Sequence, residues 1–183
     1  MAMTFFGIQT ALDLGRDPRR ERLAELVRNH REATDLLSQR RCWSRASELL
    51  APASDRIVLG TWDLLRDGAE EAWEEWSSGL EAMASWPRED FGRDGNLLLV
   101  SVIALVEGGS NADRTLGDVC DLPESQWHQP ATYAALFRTM PMLNLTNVLG
   151  SGLYLAPRPD HPGFSQRVLT GEGFEYLTAV GGR

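Results

Sequence analysis

Asn96 to Gly108, NLLLVSVIALVEG, is the stretch around which the chain is organised. Leu97, Leu98, Leu99, Val100, Val102, Ile103, Leu105 and Val106 follow one another with only small residues between them. The run is too continuous for an amphipathic helix and too short to cross a bilayer, which takes about 20 apolar residues. Asp94-Gly95-Asn96 punctuates its start and Gly108-Gly109-Ser110-Asn111 stops it. A β-rich apolar run between turn signals predicts a strand buried on both faces, with a buried helix as the alternative.

Upstream, helical patterns dominate. Asp17-Pro18 is a helix start, because Asp caps and Pro suits the first helical position. Leu23, Leu26, Val27, Ala33 and Leu37 keep helical spacing to about Ser38, and a second piece spans Ser44 to Leu50. Ser54 or Asp55 caps a third predicted helix with Ile57, Val58, Thr61, Trp62 and Leu65 on one side. A fourth covers Ala69 to about Ser85, with Trp73, Trp76, Leu80 and Met83 on its apolar stripe and Glu70, Glu71, Glu74, Glu75 and Glu81 outside it. Thr4 to Leu14 reads as an apolar mix with a short helix.

Downstream, Leu116 to Leu122 and Pro130 to Met140 read as helices, and Asn147 to Ala156 as a second strand. Gly150 and Gly152 in that strand signal a bulge or a close backbone approach. The expected fold is α+β: one domain, 1–183, with a helical half (17–86) packed on a small sheet from a strand-containing half (94–180). Strand, helix and strand imply a parallel βαβ unit with a right-handed crossover. Two strands do not make a stable sheet. A third comes from Phe5–Ile8, from Arg167–Leu169 or from another subunit.

The chain is acidic, with a formal net charge of −8 over 183 residues. All 18 basic residues are arginine. The missing lysine fits a GC-rich coding bias and excludes Schiff-base and phosphate-loop lysines. Negative charge without a basic stripe argues against nucleic acid as a partner. Cys42 and Cys120 read as free thiols of a reducing compartment. The start has no secretory pattern and no segment reads as a membrane span, so the expected location is cytoplasmic, away from the membrane.

Helices, then VSVIALVEG (Val100–Gly108), then a strand ending in YLAPRPDHPG (Tyr154–Gly163), resemble the domain-of-unknown-function family DUF 1517 of bacterial and plastid proteins. The likeness spans roughly Gln9 to Val180, with Leu155-Ala156-Pro157 where the family has a Trp-Thr-Pro-like segment. It implies a fold and no activity.

If the two strands are parallel, their carboxyl ends share one edge of the sheet, where open α/β sheets bind ligands. Glu107, Ser110, Asn111, Arg158, Asp160 and His161 would then line a polar cleft, with His161 as base and Arg158 as anion holder. The simpler reading is a pair of solvated strand-exit loops. No catalytic triad, metal-ligand spacing or cofactor motif occurs: His30, His128 and His161 are scattered, and the Glu face of 69–85 lacks a histidine. The arginines around Cys42 would lower its pKa, against the commoner case of a buried structural thiol. Trp43, Trp86 and Trp127 beside polar loops, with Glu71 and Glu75, form a candidate partner interface.

These features favour a non-catalytic protein-binding or accessory protein, one form of which is an immunity or antidote protein facing a basic toxin. The alternative is an enzyme or small-molecule binder at the strand ends. A third reading is self-association, with the second strand completing a sheet across an interface.

Overall fold

Leu97–Glu107 is a strand, β3, and ten of its eleven residues are buried. The computed structural model describes residues 1–15, 17–83, 86, 95–157 and 161–181. In chain order the elements are β1 (Met3–Asp13), α1 (Arg19–Glu32), α2 (Leu36–Leu50), β2 (Ile57–Leu65), α3 (Ala69–Met83), β3, α4 (Asn111–Cys120), α5 (Pro130–Thr139), β4 (Val148–Ala156), α6 (Gln166–Leu169) and β5 (Thr178–Ala179). The fold is α+β. Its five-stranded sheet has the order β4-β3-β1-β2-β5, and every neighbouring pair is antiparallel.

That arrangement corrects three expectations. The stretch 17–86 is not wholly helical: it contains β2, and β1, which precedes it, lies beside β3 along its whole length. Met3–Asp13 is buried on both faces, so it lacks the alternation that marks a half-exposed strand. In Ile57–Leu65 the helical spacing is accidental, while its β-branched start and Gly60 belong to a strand.

β3 and β4 are antiparallel, with Leu99 opposite Ala156 and Val106 opposite Val148. Two helices, α4 and α5, lie between them, so the chain goes out and returns to the end it left. The same holds for α1 and α2 between β1 and β2. A single helix, α3, separates β2 from β3, and these two strands are parallel with β1 between them. Arg167–Leu169 is helical, and the short second partner of β2 is Thr178–Ala179.

The first helical region also breaks earlier than its spacing predicts. The Asp17 carboxylate accepts the Arg19 N–H at 2.9 Å, and α1 stops at Glu32. Asp35 then caps α2 through the Leu37 and Ser38 N–H groups. Competing side-chain acceptors of this kind define helix ends better than apolar spacing does.

One face of the sheet presents Phe6, Ile8, Leu98, Val100 and Val102 to α1, α2, α4 and α5 in one continuous core. Trp43 lies in it, 1% exposed, edge-on to His30 at 5.0 Å. Cys42 is buried there too, and burial raises its thiol pKa, so the structural reading of that thiol holds. Burial also pushes the Cys120 thiol up to about 12 against the pull of Arg66.

The second face is covered by α3 at one end and by the segment from Phe164 to Leu177 at the other. Glycines let α3 approach. A Cβ on Gly7 would lie 3.0 Å from the Trp76 ring and 2.9 Å from the Phe5 ring, and one on Gly150 would lie 2.9 Å from the Trp73 ring. Gly150 therefore marks both a close approach and, through the register shift beside it, a bulge. Gly7→Ala should cost about 1–3 kcal/mol, because a methyl group must displace one of two packed rings. Urea unfolding measures this, and an unchanged midpoint would show that α3 does not depend on the gap.

Candidate binding cleft on the second face of the sheet

The register places Tyr154, Ser101, Gln9 and Thr61 in one row across β4, β3, β1 and β2. Their side chains share the second face. On one side of this row lie Ala156, Leu99, Ala11 and Leu59; on the other lie Gly152, Ile103, Gly7 and Asp63. The row is polar in the middle of an apolar sheet. Gln9 is 2% exposed and Ser101 1%, and Gln9 Nε2 donates to Ser101 Oγ at 2.9 Å. Burying an amide without partners costs free energy, and this bond satisfies part of its capacity.

Above the Gln9–Thr61 end of the row the two covering segments stand apart, and they meet only where Met83, at the end of α3, joins the cluster of Phe164, Leu169 and Phe174. A cleft of about 490 Å³ remains, within the usual range for ligand sites of about 300–1,000 Å³. Gln9, Thr61 and Asp63 form its floor. Trp76 and Leu80 of α3 make one wall, and Trp86, Phe174 and Tyr176 make the other. Trp86 and Phe174 pack edge to face at 5.8 Å, and each also meets Phe164. Burial pushes the Tyr176 hydroxyl up to about 12, with Glu175 adding to the effect, so it stays neutral.

Asp63 sits half-buried in this floor, and burial raises its carboxyl pKa. It forms no hydrogen bond or ion pair with the described residues; their ion pairs are Asp17 with Arg19 and Arg56, Arg45 with Glu48, and Arg66 with Asp113. Among the described residues, Glu75 on α3 is the other acidic residue lining the cleft, and no arginine lines it. Two larger depressions, of about 590 and 630 Å³, have mixed charge instead: Arg56 with Asp13 and Asp55 in one, Arg66 and Arg114 with Asp118, Asp121 and again Asp63 in the other.

The predicted strand-end cleft does not form. Glu107 and His161 lie toward opposite ends of β3, since Phe164 bridges to Leu97 while Glu107 faces Met3. Ten residues of strand separate those ends, about 33 Å. Arg158 and Asp160 lie outside the described residues. His161 is buried, and its Nδ1 accepts the Gly163 N–H at 3.2 Å.

The other half of that set is engaged in structure. Asn147 donates to Glu107 at 3.2 Å, Ser110 caps α4, and Arg114 holds Asn111 and the Gly109 carbonyl. Asp113, on the same turn, binds the Gly109 N–H at 2.8 Å, Thr4 at 3.0 Å and Arg66 at 3.3 Å. Burial opposes its ionisation, but these three donors outweigh it and hold its carboxyl below the usual range.

Of the predicted interface residues, the structure brings Trp86 and Glu75 to the cleft, with Glu71 exposed on the same helix. Trp43 is removed from the interface by its burial. Trp127, 40% exposed, sits elsewhere: its ring meets Trp62 at 6.0 Å, its Nε1 donates to Leu122 and its carbonyl accepts from Trp62 Nε1. Gln9, Thr61, Asp63, Phe174 and Tyr176 are absent from the sequence-based candidates. Lone polar residues inside buried strands were the available signal for Gln9 and Asp63.

Among the described residues no group of acidic, histidine or cysteine side chains is placed to hold a metal ion, and no helix is long and apolar enough to cross a membrane. Compared with known protein families, curated proteins and solved structures, the chain has no significant match.

Replacing Asp63 tests the electrostatics. Its folded-state pKa is raised, so folding loses stability as pH rises from the unfolded value through the folded one. Asp63→Asn should therefore raise the urea midpoint at pH 7, with the gain vanishing at pH values below the usual carboxylate range. An equal effect at both pH values would assign it to packing instead.

Proposed function

We propose that this chain is a non-catalytic binding protein that holds a basic protein partner against the exposed face of α3 and the adjoining cleft. The observation that carries this reading is the charge of α3. The helix bears Glu70, Glu71, Glu74, Glu75 and Glu81 and no basic residue. All five are exposed, and none has an ion pair among the described residues. Glu70/Glu74 and Glu71/Glu75 are like-charge neighbours one turn apart, each pair costing the helix about 0.2–0.5 kcal/mol. A basic surface would relieve that cost and would be steered toward it from solution. An antidote to a basic toxin is one form of this reading, in a cytoplasmic setting. The DUF 1517 resemblance supplies no activity to it.

Glu71→Gln/Glu75→Gln should stabilise the free protein slightly and weaken its complex. Capture from native lysate at low and high ionic strength measures the second effect. Loss of capture in the double variant and at high salt is the expected result; no partner, or a salt-independent one, would count against the reading.

Self-association has its own observation. β4 ends the sheet, and its sequence VLGSGLYLA has neither a charged residue nor a proline to block further pairing. Antiparallel pairing of β4 with a second copy would continue the sheet. Sedimentation over a range of concentrations should then show a reversible dimer, whereas a monomer throughout removes this second reading.

A further inference from the structure

We propose that the cleft on the second face is a receptor for a guanidinium group, and that the basic partner inserts an arginine side chain into it. This rests on the protein-binding reading above and names the group that fills the site. Three independent features support it.

Among the described residues the cleft carries charge of one sign: Asp63 and Glu75 line it without any arginine. An unpaired carboxylate in a partly desolvated site is a costly arrangement unless a cation completes it. The walls are aromatic, with Trp76 and Tyr176 among the lining residues, and aromatic rings attract a cation through their quadrupoles, tryptophan most strongly.

Gln9 supplies the third feature. It is buried and lies on the cleft floor, yet its one side-chain bond, to Ser101, uses Nε2. Its Oε1 takes no proton from the described residues. Thr61, beside it in the register, likewise has no side-chain hydrogen bond among them.

Guanidinium suits this set better than ammonium. It is planar, so it stacks against rings, and its five N–H donors form a fixed fork. Two can meet the Asp63 carboxylate side-on while others reach Gln9 Oε1 and the Thr61 hydroxyl. Ammonium would place its charge near Asp63 but offers no plane to stack. A neutral urea-like group keeps the shape and loses the charge.

The test uses a short capped peptide, acetyl-Gly-Arg-Gly-amide, titrated into the whole protein while the indole N–H signals of Trp76 and Trp86 are followed by NMR. Saturable shifts at these two signals are expected, with binding about tenfold weaker for the lysine peptide and lost for the citrulline peptide. Asp63→Asn should abolish the shifts at pH 7. Gly79→Leu provides a second variant: Gly79 lines the cleft, and a Cβ there meets nothing within 4 Å, so the larger side chain blocks the site without entering the core.

Equal binding of the citrulline peptide, or unchanged binding in both variants, overturns the proposal. No response to the arginine peptide at any concentration also overturns it. If lysate capture still depends on Glu71 and Glu75 in that case, the protein-binding reading survives without the arginine site. If both fail, both fall.

Discussion

The pairing of β1 with β3 is the constraint on which the rest of the structure depends. Eleven residues of each strand, Met3–Asp13 and Leu97–Glu107, face one another in unbroken register. Nearly all are buried, so the sheet must be covered on both faces. Four helices cover one face in a continuous core. The other receives α3 and a C-terminal segment, which leave a cleft over the Gln9–Thr61 end of the polar row. The cleft is the shortfall between two demands, burial of a two-sided strand pair and a chain that places most of its helices on one side.

Helix count between strands accounts for the topology. Pairs of helices return the chain to the end it left, as between β1 and β2 and between β3 and β4. The lone helix α3 carries it across, which makes β2 and β3 parallel. α3 lies on the face opposite the other long helices, where its Glu75 borders the cleft. Gly7 and Gly150 admit the Trp76 and Trp73 rings and set how closely it lies.

Much of this was legible in the sequence, and the failures have physical causes. β3, β4, α3 and α5 are predicted within a few residues because long apolar runs, helical spacing and Pro or Gly boundaries agree there. β1 was obscured by burial on both sides, since a strand with no wet face shows no period. β2 was obscured because five apolar or small positions happened to repeat at helical intervals. The strand-end site failed with the direction of β4, which depends on how the chain returns and not on the residues of the strand itself. Trp86 and Glu75, expected at a partner interface, line the cleft. The floor of the cleft was not, because Gln9, Thr61 and Asp63 meet only through the register of β1 and β2.

The polar row Ser101–Gln9 has a consequence for cooperativity. On the first face, apolar contacts form one cluster, so its helices share their stability. On the second, the row divides the contacts into two clusters, one under most of α3 and one under the C-terminal segment around Phe164, Leu169 and Phe174, which Met83 at the end of α3 also joins. Opening of a structure follows such divisions, since breaking one cluster does not strip the other. The second face is thus built as two clusters on a common sheet, joined through Met83 at the end of α3, and the wall of the cleft that carries Phe174 belongs to a different cluster from the wall that carries Trp76.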